Sequence, residues 1–491
     1  MNSRKNLSKA SELRETGNSH YKSSRFFEAL IFYNKSICNA KAGTKEFAMG
    51  FANRSAVYME LGEFEMCLEN IQLAVDCGYP AEKMETLLLR KEKCLDMLAI
   101  YEADQDEDPW SFFKLTRPPN EKIPFVAKCV EMKESKRFGR HLITTTALKA
   151  GDIICIEEPF HKFIMNESRF SNCANCLKSY KLNLFPCLEC NFVMFCSREC
   201  MTAADSFHSF ECQRVDDDVD RENYIYEVPR RMVFEALGVF GRLGKLQKFV
   251  EEHSEVKTIF DFDLSTADEK QKEKILLQVV NSLQQNKLPE KMQPVMDQHV
   301  ELMKSITKNP KHQKFLDEFM RKQMEITITN SFGMSAKNRC VGSGIFPLSS
   351  LLNHSCAPNL VRITVDNKLV FIVSRPIEKN AQLFISYRET FFRTKKIERQ
   401  REILQSYWFV CKCEACAKDY PVIDRLFSDD YDFIEPPTGI PTAKAAKAEF
   451  KANCDYINKR IKFYPSSELC TLMERNRVIF EKLAQVASIR T

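Results

Sequence analysis

The stretch LLNHSCAPNL, residues 351–360, sets Asn353, His354, Ser355 and Cys356 directly behind two leucines and ahead of Pro358 and Asn359. The Pro-Asn pair reads as a turn. A turn does not account for a cysteine with no partner close in sequence. Further along, CKCEAC presents Cys411, Cys413 and Cys416 at C-x-C-x2-C spacing, one ligand short of a closed tetrahedral metal site. Cys356 could close it, clamping together two segments 55 residues apart and building a cavity between them. On spacing alone it is one candidate among ten cysteines scattered through the chain.

A denser group lies upstream. Seven of the 20 cysteines fall between Cys173 and Cys212. Cys173 and Cys176 form one C-x2-C pair, Cys187 and Cys190 a second; Cys196 and Cys200 stand one helical turn apart, as do His208 and Cys212. Eight such ligands make two tetrahedral zinc sites, and zinc would hold together a unit with too few core residues to fold alone. The preferred pairing is interleaved: Cys173, Cys176, Cys196 and Cys200 at one ion, and Cys187, Cys190, His208 and Cys212 at the other. Spacing fixes the ligand set better than the pairing. With all eight engaged no position is left for water, so this finger is expected to be structural. Lys178, Lys181 and Arg198 are too few to indicate nucleic acid, and a protein-docking surface is at least as good a reading.

The whole chain, 491 residues, has room for about three domains. Its net charge of +5 is small for this length and signals no nucleic-acid partner. No apolar run is long enough to span a bilayer, and the start MNSRKNLSKASELRETG lacks an apolar signal core, so neither secretion nor a membrane span is expected. In such a chain concentrated cysteines point to metal rather than disulfides.

Helical spacing fills the first hundred residues. Leu13, Gly17, Tyr21, Ala29 and Tyr33 suit two packed helices. Phe51, Ser55, Tyr58, Gly62, Phe64, Cys67 and Ala74 repeat the pattern, with Ala29 and Cys67 38 residues apart. A tetratricopeptide-like array is expected, with a third unit opening near Met84. YEADQDEDPWSFFKLTRPPN, residues 101–120, reads as a boundary. RHLITTTALKAGDIICIEEPFHKFIM then gives β-branched runs around a turn. VDDDVDRENY opens a mostly helical region to about 325. Strand character returns in MEITITNSF (residues 324–332), LVRITVDNKLVFIVSRPI and LFISY; residues 391–410 look helical, and FIEPPTGIP links to a helical tail.

In this order the parts resemble the SET and MYND domain-containing protein lysine methyltransferases, in the subgroup that carries tetratricopeptide repeats. The MYND finger is similar to the block 173–212. A split SET domain resembles SKRFGRHLITTTALKAGDIICIEEPF before it and FPLSSLLNHSCAPNL…PIEKNAQLFISY after it, and YWFVCKCEAC is similar to the post-SET zinc segment. The resemblance implies an α+β multidomain fold: tetratricopeptide-like repeats at 1–110, the N-terminal part of a β-rich split SET core at 111–165, the finger at 173–212, a helical insertion at 213–325, the rest of the core at 326–390, a post-SET zinc segment at 391–420, and C-terminal tetratricopeptide-like helices at 421–491. It also assigns Cys356 as fourth ligand to Cys411, Cys413 and Cys416, for three Zn2+ in all.

The same resemblance implies S-adenosyl-L-methionine as cofactor and transfer of its methyl group to the side-chain nitrogen of a protein lysine, histone or non-histone. Gly139, Arg140, His141, Asn330, Asn353, His354 and Phe409 are the implied cofactor contacts. Phe332, Tyr387 and Tyr407 would line the lysine channel, with Tyr387 as the catalytic-site tyrosine and also near the cofactor. Peptide partners of the finger and repeats, a monomer, and residence in nucleus and cytoplasm are the further expectations. The alternative is an adaptor with little or no catalysis. A Cys356–His354 nucleophile pair is the competing reading of that motif, but one thiol cannot be both nucleophile and zinc ligand. The chain departs from the family pattern at His141, where glycine is common, and at NAQL, residues 380–383. There Asn380 can take a glycine's left-handed turn, while Ala381 and Gln382 replace two carboxylates. Substrate preference is the property those changes bear on.

Overall fold

Apolar residues at three- and four-residue spacing put the N-terminal chain into α1 (Leu7–Lys22), α2 (Phe26–Asn39), α3 (Lys45–Glu60), α4 (Phe64–Asp76) and α5 (Met84–Ile100). This is seen in a computed structural model that describes residues 5–100, 108–212, 227–336, 339–428 and 442–484, with positions 433, 435, 436 and 439. α1 packs on α2 and α3 on α4, with Ala29, Cys67 and Ala74 fully buried. Met84 opens one helix, α5. The acidic residues 101–107, VDDDVDRENY and most of FIEPPTGIP lie outside the described residues.

The β-branched runs fold into short strands. β1 (Val130–Ser135) and β2 (Gly139–Thr144) form a hairpin, followed by β3 (Ile153–Glu157) and β4 (His161–Ile164). The cysteine-rich block contributes β5 (Phe185–Pro186), β6 (Met194–Phe195) and α6 (Arg198–Cys212). Next come α7 (Glu227–Phe240), α8 (Leu243–Glu252), α9 (Glu269–Asn281), α10 (Gln293–Lys304) and α11 (Pro310–Asn330). Strands resume with β7 (Ser331–Ala336), β8 (Arg339–Ile345), β9 (Asn353–His354), β10 (Leu360–Val365), β11 (Lys368–Val373) and β12 (Phe384–Ile385). The chain ends in α12 (Lys396–Tyr407), α13 (Glu414–Ala417), α14 (Ala443–Arg460) and α15 (Ser467–Leu483).

Strands on either side of the insertion pair with each other, and this makes the core one body. β11 pairs antiparallel with β3, with Val370 opposite Ile156, and β4 pairs antiparallel with β8, with His161 opposite Ile345. At the second seam an alanine in place of Gly342 would put its Cβ 2.1 Å from the Phe163 carbonyl oxygen, so only glycine lets these backbones meet. β11, KLVFIV, is apolar almost throughout because both faces of its sheet are covered. Val370 and Ile372 meet Ala446, Ile479 and Phe480 of α14 and α15, while Leu369, Phe371 and Val373 face the inner core. The architecture is thus a split β-rich SET core, with zinc-binding-type cysteine motifs inserted and appended and with tetratricopeptide-like helices flanking it.

One local expectation is corrected. Residues 324–330 of MEITITNSF are the last turns of α11, not strand; only Ser331 onward is extended. Met324, Ile326, Thr327 and Asn330 are buried at helical spacing, and Thr327 and Thr329 return their hydroxyls to the carbonyls of Gln323 and Glu325. Tertiary burial overrides β-branched propensity here.

The finger is docked rather than free on the side facing the repeats. Arg54 of α3, wholly buried, donates to Asn70, Asn34 and Asn183 side chains and to the Leu184 carbonyl at 2.7–2.8 Å. Asn34 donates to the carbonyls of Phe170 and Leu182, and Tyr58 to that of Lys181. A buried guanidinium held by four acceptors is a specific lock, because an apolar face would slide. Burial lowers the pKa of Arg54.

Glu157, at the end of β3, anchors the turn that leads into LLNHSC. Its carboxyl accepts from the Leu348 and Ser349 N–H groups at 2.7 and 2.8 Å and from the Ser349 hydroxyl. These donors favour the ionised form, but burial outweighs them and raises the pKa from 4.5 to about 7. The folded chain therefore holds this proton more tightly than the unfolded chain. The group's contribution to stability should fall as pH climbs from about 4.5 to about 7, by about 3 kcal/mol, and then level off. Denaturant titrations across that range should show the slope, and Glu157→Gln should remove this part of it.

Candidate functional site

Cys356 leaves the end of β9 with its Sγ 3.9 Å from that of Cys411 and 3.7 Å from that of Cys416, and its N–H directed at Cys413 Sγ at 3.3 Å. Tetrahedral thiolates at about 2.3 Å from zinc stand about 3.8 Å apart, so the donor set and spacing fit that ion. The sulfurs are too far apart for a disulfide, whose bond is about 2.05 Å. The finger brings its ligands together in the interleaved sets: Cys173, Cys176, Cys196 and Cys200, and Cys187, Cys190, His208 and Cys212. In each of the three clusters the four ligand atoms lie within 4.8 Å of one another. Helix α6 carries Cys200 near its start and His208 and Cys212, one turn apart, near its end, which is how one helix serves both finger clusters.

The third cluster is wired to Tyr387 through His354. The Tyr387 N–H donates to His354 Nδ1 at 3.0 Å, so that nitrogen carries no proton. The imidazole proton is then on Nε2, which lies 3.3 Å from Cys356 Sγ. Burial holds this imidazole neutral, its pKa pulled down to about 4. Arg399, also buried, approaches Cys416 Sγ at 3.8 Å. Both donors offset charge on what would be a four-thiolate, net-negative centre. Neither role was legible beforehand: Arg399 sits in an ordinary amphipathic helix, and no spacing signal marks it.

Beside this staple opens a cavity of about 330 Å³. Gly139 and Arg140 enter it from β2, Asn330 and Phe332 from the α11–β7 junction, Asn353 from β9, and Tyr387, Tyr407 and Phe409 from the C-terminal side. Gly139 has φ of 60°, the left-handed conformation that glycine takes freely. Helix α12 stops with Trp408 at φ 59°, and that sharp exit carries both Tyr407 and Phe409 to the cavity wall. Asn380 likewise has φ 64° and ties β2 to β12 through its N–H to the Thr144 carbonyl at 2.7 Å.

Tyr387 donates its hydroxyl to the Leu352 carbonyl at 2.7 Å, with its ring 4.8 Å from that of Tyr407. Burial, with Tyr407 beside it, pushes its pKa up, so the phenol stays neutral and its oxygen lone pairs remain available as acceptors. Asn353 is held by its side-chain donation to the Phe138 carbonyl at 3.0 Å, and Asn330 by donations to the Gln284 and Ile326 carbonyls.

Two of the expected cofactor residues do not line this cavity. His141 is buried with Nδ1 against the Gly139 carbonyl at 2.9 Å, because β2 alternates and turns residue 141 away from the face that residue 140 presents. His354 lines an adjoining recess with Ser355 and Phe384, its ring nitrogens occupied as described. Conversely Leu283, Gln284 and Asn286, after α9, and Arg362 of β10 complete the wall, and nothing in their local sequence singles them out.

A family model described as SET domain matches residues 139–388, half of the chain. The chain belongs to the SET domain family. It is also homologous to SET-and-MYND proteins. It is 23% identical to protein-lysine N-methyltransferase SMYD4 of Danio rerio over 84% of this chain and 65% of that one. It is 26% identical to a SET and MYND domain-containing protein of Dictyostelium discoideum over 60% of this chain and 84% of that one. With histone-lysine N-methyltransferase SMYD3 of Homo sapiens the identity is 25%, over 66% and 69%. The chain spans about two thirds of the length of the SMYD4 relatives it matches.

Metal analysis of the purified chain should find about three zinc ions, and Cys356→Ser should remove one and leave the two finger ions. Arg399→Met should keep the ligands but weaken retention of that ion by about 10- to 100-fold in chelator competition.

Proposed function

We propose that this SET-family chain transfers methyl groups from S-adenosylmethionine to the side-chain nitrogen of a protein lysine, within the tetratricopeptide-bearing subgroup that α1 to α5 suggest. The observation that carries the reading is the convergence, in one cavity, of Gly139, Asn330 and Asn353 with the aromatic set Phe332, Tyr387, Tyr407 and Phe409. The residues present fit the cofactor: Nη1 of Arg140, buried at this cavity, has no hydrogen-bond partner among the described residues and suits the carboxylate of an amino-acid-bearing nucleoside. When bound, that cofactor supplies an electrophilic methyl group.

Everything else falls to the chain. Asn330 and Asn353, both held by backbone carbonyls, present fixed polar edges for orientation. Tyr387 keeps its proton on Leu352 and offers its oxygen to an N–H of the incoming amine, which turns the nitrogen lone pair toward the methyl group. Tyr407 and Phe332 narrow the passage and exclude water. A neutral phenol that is already donating cannot act as general base, so Tyr387 orients rather than deprotonates. Desolvation among the aromatic and apolar side chains of the cavity penalises the amine's charge and shifts it toward the neutral form as it seats. The docking of the finger on the repeats weighs against an adaptor whose finger is free on that side.

Labelled methyl transfer from S-adenosylmethionine to a protein substrate should be detectable with the zinc-loaded chain. Tyr387→Phe should lower it by about 100-fold or more while S-adenosylhomocysteine still binds and the melting midpoint holds. Cofactor binding without transfer to any protein lysine would favour the adaptor instead.

A further inference from the structure

The charge of the cavity is one-sided. Among the described residues that line it there are two guanidiniums, Arg140 and Arg362, and no aspartate or glutamate. The two arginines have different neighbours. Arg140 stands beside Gly139 on β2 and donates through Nη2 to the Ser282 carbonyl at 2.7 Å. Arg362 projects from β10 with its guanidinium carbon 5.2 Å from the centre of the Phe332 ring. Packing against its neighbours lowers its pKa and Tyr407 beside it raises it, while the side chain as a whole stays exposed to solvent. Its guanidinium makes no hydrogen bond or ion pair among the described residues. An arginine remains charged in a protein, and its planar fork matches a carboxylate.

Resting on the methyltransferase reading, we infer that Arg362 is a specificity-determining residue that anchors a carboxylate on the chain presenting the acceptor lysine. The substrate, not the cofactor, is the source the placement favours. The unpartnered Nη1 of Arg140 already answers a cofactor carboxylate beside Gly139, whereas Arg362 lies over Phe332 where the lysine stem would pass. The logic is also electrostatic. A protonated lysine approaching this guanidinium at roughly 7 Å, in surroundings of effective dielectric about 20, is disfavoured on the order of 50-fold. A substrate that brings its own carboxylate to Arg362 removes that penalty, and one that lacks it does not. The passage therefore selects lysines with an acidic residue, or a chain terminus, within reach.

The test uses the zinc-loaded full chain, Arg362→Gln, and Arg362→Lys as a variant that keeps the charge. Fluorescence anisotropy measures binding of a peptide library with a fixed central lysine and either glutamate or glutamine at each flanking position. Calorimetry measures S-adenosylhomocysteine and 5′-methylthioadenosine, which lacks the amino-acid carboxylate. The wild-type chain should prefer a glutamate-flanked set by about 10- to 100-fold; Arg362→Gln should bring that preference near unity, Arg362→Lys should keep part of it, and neither should change S-adenosylhomocysteine affinity more than about threefold. No glutamate preference in the wild type, or one unaffected by Arg362→Gln, overturns the inference. So does a loss of S-adenosylhomocysteine binding on Arg362→Gln with methylthioadenosine unaffected, since the carboxylate would then be the cofactor's. If the wild-type chain binds neither nucleoside but shows an Arg362-dependent glutamate preference, the methyl-transfer reading fails and the carboxylate subsite stands.

Discussion

Four sulfur atoms drawn from a strand end and from a six-residue turn decide where three segments of this chain can go. Bringing Cys356 against Cys411, Cys413 and Cys416 holds β9 to the end of α12, and that contact sets Tyr407 and Phe409 across from Tyr387. The tie continues inward through the His354 imidazole, whose two nitrogens face Cys356 Sγ and the Tyr387 N–H. A metal at the cluster would therefore act on the cavity by position alone, at two hydrogen bonds' remove. Apolar packing surrounds the sulfurs, with Phe391, Phe392 and Ile403 buried and Tyr420, Ile423, Leu426 and Tyr464 against them, so the joint is held by both the cluster and a local core.

The rest of the architecture serves that joint from outside. Pairing of β3 with β11 and of β4 with β8 makes one core of two sequence segments, so the finger and the five helices α7 to α11 are excursions from a continuous body. The excursion still reaches the site: Leu283, Gln284 and Asn286 close one wall, and Asn330 ends α11 at the cavity. Among the described residues the repeats do not line it; they hold the finger through Arg54, Asn34 and Tyr58. Glu157 supports the same region from beneath, holding the turn at Leu348 and Ser349 that launches the asparagine–histidine pair.

Legibility in the sequence followed the range of the interaction. Metal ligands were readable because coordination demands particular side chains at short, repeated spacings, and both finger sets and the CKCEAC turn carried them. Cys356 was different: its neighbours in space are more than fifty residues away, and only the resemblance to a known family singled it out from the other scattered thiols. The α11–β7 boundary was misplaced because Ile326 and Thr327 look like strand residues, whereas the face they bury is helical. His141 and His354 were assigned by position in a motif; the structure adds only that strand alternation turns the first side chain from the cavity and that the ring nitrogens of the second face Cys356 and the Tyr387 N–H. Arg362 and Arg399 gave no signal, since a lone arginine in an amphipathic element is normally a solvated surface charge.

The same wall chemistry bears on where the amine proton goes in the proposed reaction. Neutralising a lysine of ordinary pKa at pH 7 costs about 4 to 5 kcal/mol, and a protein can lower that cost with a base or by making the charged form unwelcome. No carboxylate stands among the described residues that line the cavity, and Tyr387 is a neutral donor to Leu352. Among the described residues, none that lines the cavity is placed to take the proton. The cavity has two guanidiniums that repel a cation, and a lining rich in aromatic and apolar side chains, five rings among them, that strips it of water. Deprotonation by exclusion is the mode these residues permit: the proton leaves to solvent as the stem seats. Tyr387 then needs only to orient the nitrogen that remains, and the staple behind it needs only to keep that tyrosine still.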